Sequence, residues 1–262
     1  MEEVYDIIIQ GGQSNAEGNG MGPVLQDYVP TGKIKYLTDN RRIEHFEEGL
    51  KVFRNNNPIS IEVAQERKVD DEACGDFSLT FAEDYINSGL LKNGRKLLII
   101  RSAVGGTGFM NGHWGVFDYL FLRMIALTDY ALSLNPNNRV VAFLWHQGEH
   151  DAVLRNSTES YFNSLNAVVK YVKCKYGAAV PFLAADFVHE WSRKQFEIYQ
   201  PIINAIRQVV CSYTNAAFIE TDNLLSNNQK VGNGDEFHFC RDALHELGHR
   251  YFHSYKELIG QL

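Results

Sequence analysis

The stretch VYDIIIQGGQSNAEG, residues 4–18, indicates the kind of fold to expect. Its first part, Val4 to Ile9, is a short and almost continuous apolar run. Such a run is typical of a strand that is buried on both faces, as in a parallel sheet. Its second part, Gly11 to Gly18, combines glycines with polar residues, which is typical of a turn. We therefore predict a buried strand that leads directly into a polar turn.

The rest of the chain alternates similar apolar runs with longer segments of helical period. The predicted strands are Val4 to Ile9, Lys96 to Arg101, Val140 to Trp145, Pro181 to Phe187 and Ala216 to Glu220. The predicted helices lie at about Ser78 to Asn87, Phe117 to Leu134, Ser157 to Tyr176, Arg193 to Tyr213 and Arg241 to Leu258. This alternation predicts one α/β domain over residues 1–262, a three-layer α/β/α sandwich around a five-stranded parallel sheet.

One polar region, residues 18 to about 76, interrupts this alternation. It contains the sequence RNNNP and a few short strand-like pieces, such as Lys33 to Leu37. We predict an irregular excursion that decorates one edge of the sheet or the mouth of a site.

Composition limits the function classes. A chain of 262 residues with 45% hydrophobic residues can bury one full core. The net charge of -7 and the absence of a Lys/Arg block argue against nucleic acid or anionic lipid as partners, and favour a small neutral or cationic substrate. No apolar run approaches the length of a membrane span. The acidic start, MEEVYDIII, is not a secretory signal, so we expect a cytoplasmic protein, or a secreted or periplasmic one if a leader was removed.

Four cysteines are scattered along the chain without a C-x-x-C pair: Cys74, Cys174, Cys211 and Cys240. Neither a disulfide framework nor a metal knuckle has this pattern. We therefore predict buried free thiols.

Ligands of open parallel sheets bind beyond the carboxyl ends of the strands, so the residues that follow each predicted strand are the candidates for a site. Four of the five strands are followed by polar, glycine-containing segments: GGQSNAEG at 11–18, AVGGTG at 103–108, HQGEHD at 146–151 and GDEFH at 234–238. Four such segments on one rim predict an active site.

These segments contain the groups that acyl transfer needs. Ser14 can act as a nucleophile if a base takes its proton, and Asp235 and His238, three residues apart, can supply that base and its orienting partner. Backbone N–H groups of residues 105–106 and the side-chain amide of Gln147 can donate to an oxyanion.

In combination, the blocks GQSNAEG, GGTGFMNGHW, WHQGEHD and DEFHF resemble the SGNH hydrolases, and within them the carbohydrate esterase family 6 and sialate O-acetylesterase-like group. The resemblance implies a flavodoxin-like fold and a serine esterase without metal or cofactor that removes acetyl groups from carbohydrates such as xylan or sialic acid. It implies these roles: Ser14 nucleophile, His238 base, Asp235 acid, and an oxyanion hole of Ser14, Gly106 and Gln147, with Gly105 as the adjacent alternative to Gly106.

Neighbouring residues have two possible roles, substrate binding or loop fixing: Gln13, Asn15, Gly105, Trp114 and Glu149. For Asn15 we favour hydrogen bonds that fix the loop. For Glu149 and Asp151 we favour a structural role over substrate contact. Trp114 is expected either in the wall of the acyl or sugar pocket or in the core.

A second motif, His245-Glu246-Leu247-Gly248-His249, matches the zinc-peptidase pattern H-E-x-x-H. Its metzincin extension is missing, because Phe252 and Tyr255 occupy the required glycine and histidine positions. Apolar residues at helical spacing around it instead predict a helix that packs on the sheet. We interpret the motif as a by-product of that helix and predict no metal site.

Three alternatives remain at this point. The first is a general short-chain carboxylesterase or lipase of the same fold, the second a non-catalytic carbohydrate-binding relative, and the third, more remote, a zinc metallopeptidase acting through His245 and His249. The expected partner is an acetylated carbohydrate, with no nucleic acid and no membrane; the particular sugar and the oligomeric state stay open.

Overall fold

The computed structural model describes residues 3–38, 41–46, 49–54 and 59–260. Its strands are β1 (Val4–Gly12), β2 (Ile34–Thr38), β3 (Arg41–Phe46), β4 (Gly49–Arg54), β5 (Ser60–Val63), β6 (Arg67–Val69), β7 (Glu72–Cys74), β8 (Arg95–Arg101), β9 (Arg139–His146), β10 (Phe182–Ala185) and β11 (Ala216–Ile219). Its helices are α1 (Ser14–Glu17), α2 (Phe77–Asn87), α3 (Tyr119–Ser133), α4 (Glu149–Val153), α5 (Thr158–Tyr176), α6 (His189–Lys194), α7 (Phe196–Cys211), α8 (Asn227–Val231) and α9 (Arg241–Gly260).

The central sheet has the strand order β11-β10-β9-β1-β8-β2-β5 and is parallel except for β5. All five predicted strands lie in it and pair in parallel, which confirms the predicted fold class. The strand number is corrected from five to seven, because β2 and β5 of the polar excursion extend one edge. Ile34, Tyr36 and Leu37 of β2 are buried, which explains why this segment joins the sheet.

The rest of the excursion contains two short hairpins, β3–β4 and β6–β7, which pair within themselves. Residues 39–40, 47–48 and 55–58 of the predicted excursion, including most of RNNNP, lie outside the described residues.

Helices cover both faces of the sheet, and each face has its own apolar core. On one face, α2 and α9 pack against residues such as Ile8, Leu97 and Ile99. On the other face, α3, α5 and α7 pack against Ile9 and other residues of the sheet. Successive residues of β1 thus point to opposite layers, as the nearly continuous apolar run predicted.

Details of the helices differ from the sequence prediction. The helix predicted from Phe117 begins at Tyr119, because Phe117 has a left-handed φ of 81° and is exposed. The segment Arg193 to Tyr213 contains the end of α6 and then α7, which are separated at Gln195. None of the described helices combines the length and the apolar character that crossing a lipid bilayer requires.

All four cysteines are free thiols. Cys74 and Cys240 are buried, as predicted, but the prediction of burial is wrong for Cys174 and Cys211. These two residues lie near the ends of α5 and α7, where their side chains are exposed.

Candidate active site

The site is built at the carboxyl end of β1, where three of the polar segments meet. Parallel pairing sets Gly12 of β1 opposite His146 of β9, while β8 runs along the other side. Gly12 has a φ of +139°, and a Cβ there would lie 2.1 Å from the His146 carbonyl oxygen. Gln13 N–H donates to that same oxygen at 2.9 Å. Only glycine therefore allows β1 to turn directly into the short helix that begins with Ser14.

Asp235 and His238 form a hydrogen-bonded pair in the loop before α9. His238 Nδ1 lies 2.7 Å from Asp235 Oδ2. Asn227, a buried residue of α8, donates from Nδ2 to the same oxygen at 2.9 Å. Burial alone would raise the pKa of Asp235, but the hydrogen bonds from His238 and Asn227 outweigh it and hold that pKa below its ordinary value. Asp235 is therefore ionised and fixes the orientation of the imidazole.

Ser14, His238 and Gly106 line one cavity of about 320 Å³. The other lining residues are Gln13, Asn19, Glu149, His150, Val153 and Phe237. This volume lies near the lower end of the roughly 300–1,000 Å³ found for small-molecule sites. Ser14 is only 8% exposed, so a substrate reaches its hydroxyl group through this cavity.

The two adjacent glycines of the segment 103–108, Gly105 and Gly106, make different contacts. The N–H of Gly105 donates to Glu17 Oε2 at 2.9 Å. Gly106 lines the cavity, has a left-handed φ of +64°, and has no partner for its N–H within the described part of the chain. The residue that offers a donor to the cavity is therefore Gly106, and Gly105 fixes the loop.

Gln147 is fully buried and is not among the residues that line the cavity. Its Nε2 donates to Asp151 Oδ2 at 2.7 Å and to the Thr107 carbonyl at 3.1 Å, and its Oε1 accepts from the Tyr161 hydroxyl at 3.0 Å. Its Nε2 also lies 3.3 Å from Gln13 Oε1. The Gln147 amide thus holds the segments at 13, 107 and 151 together behind the cavity.

Gln13 does line the cavity. Its Oε1 accepts from three donors, the N–H of Gly148 at 3.3 Å, the N–H of His150 at 3.2 Å and Nε2 of Gln147. Because the oxygen is held from behind in this way, the amide group of Gln13 has a fixed orientation, and its NH2 is the part that faces away from these partners.

Asn15 connects the segment of Ser14 with the segment of His238. Its Nδ2 donates to the Phe237 carbonyl at 3.1 Å, and its Oδ1 accepts from the Phe239 N–H at 3.0 Å. These are the two residues that flank His238 in the chain. Asn15 therefore holds the backbone on both sides of the histidine, beside Ser14.

Glu149 supports this arrangement from α4. It accepts from Asn15 Nδ2 at 2.9 Å, and His146 Nε2 lies 3.4 Å from the same Oε1. Burial alone would raise the pKa of Glu149, but His146 and Asn15 outweigh it and hold that pKa below its ordinary value. Glu149 thus both lines the cavity and fixes a loop.

The sequence of this chain matches a known protein family over nearly its whole length. A model of the family described as carbohydrate esterase, sialic acid-specific acetylesterase, matches residues 4–257. The chain belongs to this family. It is therefore a carboxylic ester hydrolase of the carbohydrate acetylesterase class.

Solved structures of other proteins share the fold of this carbohydrate esterase. NanS superimposes with a TM-score of 0.76 at 16% identity, over 100% of this chain and 99% of NanS. A protein from Arabidopsis thaliana superimposes with a TM-score of 0.67 at 18% identity, over 96% of this chain and 98% of the Arabidopsis protein. A carbohydrate acetylesterase from Xanthomonas citri superimposes with a TM-score of 0.61 at 14% identity, over 98% of this chain and 57% of the Xanthomonas protein. No sequence among curated proteins matches this chain.

Two residues that the sequence placed near the site of this esterase, Trp114 and Asp151, are fully buried and contact the protein interior and the rim loop. Trp114 is fully buried, stacks edge-to-face on Trp145 at 5.2 Å, and donates from Nε1 to Thr107 Oγ1 at 2.9 Å. Asp151 is fully buried and accepts from the N–H groups of Phe109 and Met110 at 2.9 and 3.0 Å. Trp114 lies in the core, and Asp151 holds the rim loop.

The H-E-x-x-H residues of this esterase lie on α9 and are not among the residues that line the cavity of Ser14. His245 Nε2 is 2.6 Å from Glu66 Oε1, and His249 Nδ1 is 2.6 Å from Asp84 Oδ2. Within the described ranges, no three His, Cys, Asp or Glu side chains converge in a way that would hold a metal ion. The two histidines thus pair with carboxylates of neighbouring elements.

Several residues of the site were not predicted from the sequence: Asn227, Asn19, His150, Val153 and Phe237. Phe237 and His150 lie inside predicted segments, so their position near the rim was visible in the sequence, but the direction of their side chains was not. No feature of the sequence indicated a role for Asn227, because its contact with Asp235 depends on the fold of the loop after α8.

Proposed function

We propose that this carbohydrate esterase removes O-acetyl groups from sugars through an acyl-enzyme intermediate on Ser14. The observation that carries the proposal is the 2.7 Å contact between His238 Nδ1 and Asp235 Oδ2, with His238 and Ser14 in the wall of one cavity. A serine needs a base with an oriented imidazole, and this pair supplies one.

In the proposed reaction, His238 takes the proton of the Ser14 hydroxyl as the oxygen attacks the acetyl carbonyl. The tetrahedral intermediate collapses when the bond to the sugar oxygen breaks, and His238 gives its proton to that oxygen. A water molecule then attacks the acetyl-enzyme, with His238 again taking a proton. Acetate leaves and Ser14 regains its proton, so the enzyme returns to its initial state.

The oxyanion is held by the N–H groups of Ser14 and Gly106 in this proposal. A third donor comes from a side-chain amide. Gln147 was expected in this position, but its amide has other partners, whereas Gln13 lines the cavity. We therefore assign the third donor to Gln13, and we assign to Gln147 the role of fixing the orientation of Gln13. Loss of one oxyanion donor costs roughly 100- to 1,000-fold in kcat.

The nearest alternative is a general short-chain carboxylesterase of the same fold. Polar side chains in the cavity wall, Asn19, His150 and Glu149, favour a sugar over a long acyl chain. Hydrolysis rates for acetyl, butyryl and longer aryl esters distinguish the two, because an acetylesterase should lose activity as the acyl chain lengthens, whereas a general short-chain carboxylesterase should keep it.

The test of the mechanism is hydrolysis of p-nitrophenyl acetate by the native protein and by Ser14→Ala. We expect the variant to lose activity to background while it keeps the native circular dichroism spectrum. A serine-reactive phosphonate should abolish the native activity, and a strong chelator should leave it unchanged. Hydrolysis that survives in Ser14→Ala, or that the chelator abolishes, would contradict the assignment.

A further inference from the structure

Phe237 is an exposed aromatic residue in the wall of the cavity that contains Ser14. Its side chain is 44% exposed, and it lines the cavity together with Ser14 and His238. The contact between Asp235 and His238 does not involve the Phe237 side chain. Ligand cavities are lined mainly by apolar and aromatic side chains, with a few polar groups that fix the orientation of the ligand, and the position of Phe237 fits such a contact.

The ring of Phe237 is held in place from behind. Trp191, which is 3% exposed, packs on it with a centroid distance of 5.2 Å and itself packs on Phe187 at 6.0 Å. Next to it in the chain, Glu236 Oε1 accepts from Lys194 Nζ at 2.6 Å. Two contacts thus connect this loop with α6. A ring fixed in this way loses little conformational entropy when a ligand binds.

The chemistry of this wall matches a sugar ring. The face of an aromatic ring is electron-rich and attracts C–H groups, and a pyranose has C–H groups on its faces and hydroxyl groups at its edge. The same cavity offers Asn19 and Glu149 to those hydroxyl groups.

We propose that Phe237, supported by Trp191, is the surface on which the sugar ring of the substrate stacks, and that it makes the enzyme prefer acetylated pyranosides to acyclic acetate esters. Phe237 thus supplies the aromatic wall that the sequence suggested for Trp114. The inference rests on the proposed function, because the stacked ring must carry the acetyl group that Ser14 attacks.

The experiment compares two substrates, fully O-acetylated methyl β-xylopyranoside and ethyl acetate, by the release of acetate. Phe237→Ala should lose about tenfold in kcat/KM on the pyranoside, the effect of roughly 1.4 kcal/mol of lost binding. On ethyl acetate, which has no ring to stack, the loss should be much smaller, so the ratio of kcat/KM on the pyranoside to kcat/KM on ethyl acetate should fall about five- to tenfold. Phe237→Tyr keeps the aromatic face and should keep both rates. Phe196→Ala is the matched control, because Phe196 is 59% exposed but lies outside the cavity.

The outcomes separate this inference from the proposed function. Equal losses on both substrates in Phe237→Ala would overturn the inference, because they would mean that Phe237 only positions His238. An unchanged rate on the pyranoside, or a native enzyme without preference for it over ethyl acetate, would also overturn it while leaving the esterase mechanism intact. A native enzyme that hydrolyses neither ester would instead contradict the proposed function.

Discussion

Asn15 makes three hydrogen bonds that fix the segment of Ser14 relative to the loop of His238, the nucleophile and the base that we propose. It follows Ser14 directly and contacts Glu149, Phe237 and Phe239. Proton transfer requires the hydroxyl group and the imidazole within hydrogen-bond reach, and small displacements of catalytic groups are costly. We therefore propose that the amide of Asn15 positions His238 through the loop on either side of it.

We expect Asn15→Ala to lower kcat about 10- to 100-fold with a small change in KM, because a displacement of about 1 Å can cost about 100-fold. Steady-state kinetics on p-nitrophenyl acetate measure this. Asn138→Ala is the matched control: Asn138 is also buried and braces Tyr5 N–H and the Ala131 carbonyl, at the opposite end of the sheet. Its kcat should stay native. Equal losses in the two variants would mean that Asn15 contributes stability alone.

At the scale of elements, α9 approaches α2 closely at Gly248. A Cβ on Gly248 would lie 1.9 Å from Thr80 Oγ1 and 2.3 Å from the Phe77 carbonyl oxygen. Thr80 Oγ1 also donates to the His245 carbonyl at 2.9 Å. The glycine inside the H-E-x-x-H pattern is therefore a packing residue, which gives the motif a structural reason.

Gly248→Ala should lower the free energy of unfolding by about 1–3 kcal/mol, the usual cost of overpacking. Chemical denaturation checks this value. Gly260→Ala on the same helix is the control, because within the described part of the chain the added methyl group meets no atom within 4 Å apart from its chain neighbours and the backbone of its own helix turn. We expect no loss of stability there. If Gly248→Ala were as stable as Gly260→Ala, the close packing of α2 on α9 would be refuted.

At the scale of the whole molecule, hydrogen-bonded carboxylates connect distant segments. Glu66 of the excursion contacts Arg241 Nη2 at 2.5 Å and His245 Nε2 at 2.6 Å, both on α9. Burial alone would raise the pKa of Glu66, but the hydrogen bonds from His245 and Arg241 lower it from its ordinary value of 4.5. Asp235 and Glu149 are shifted in the same direction.

A carboxyl group whose folded pKa is lowered contributes stability that is fully present above its unfolded pKa and is lost as the pH falls through the folded one. We therefore expect the free energy of unfolding to fall steeply below about pH 4.5. Glu66→Gln should be less stable than the native protein at neutral pH, and this difference should shrink below that pH. Denaturation curves from neutral to acid pH measure it.

Glu62→Gln is the control for the acid titration, since Glu62 is an exposed carboxylate on the neighbouring strand β5. Its stability should run parallel to that of the native protein across the whole range. A constant difference between Glu66→Gln and the native protein down to acid pH would exclude a contribution from the ionisation of Glu66.

Much of the fold was predictable, because its signals are local. The buried parallel strands are continuous apolar runs, and the helices between them have an apolar period, so the alternation was visible residue by residue. The two added strands were not predictable as members of the sheet. The apolar content of β2 was visible, but its place beside β8 depends on a pairing between Ile34 and Leu97, distant in the sequence.

The sequence by itself determined the layered α/β architecture, the family and the groups at the sheet rim. Strand pairing and chain order bring those groups together once the strands are parallel. Only the tertiary structure decided which donors are available at the cavity. The N–H of Gly105 donates to Glu17, whereas Gly106 lines the cavity and its N–H remains available to a ligand. The tertiary structure also set Trp114 in the core and Phe237 in the cavity wall. The physical reason is that a local pattern determines the period and burial of an element, whereas the direction of a loop side chain depends on contacts between distant segments.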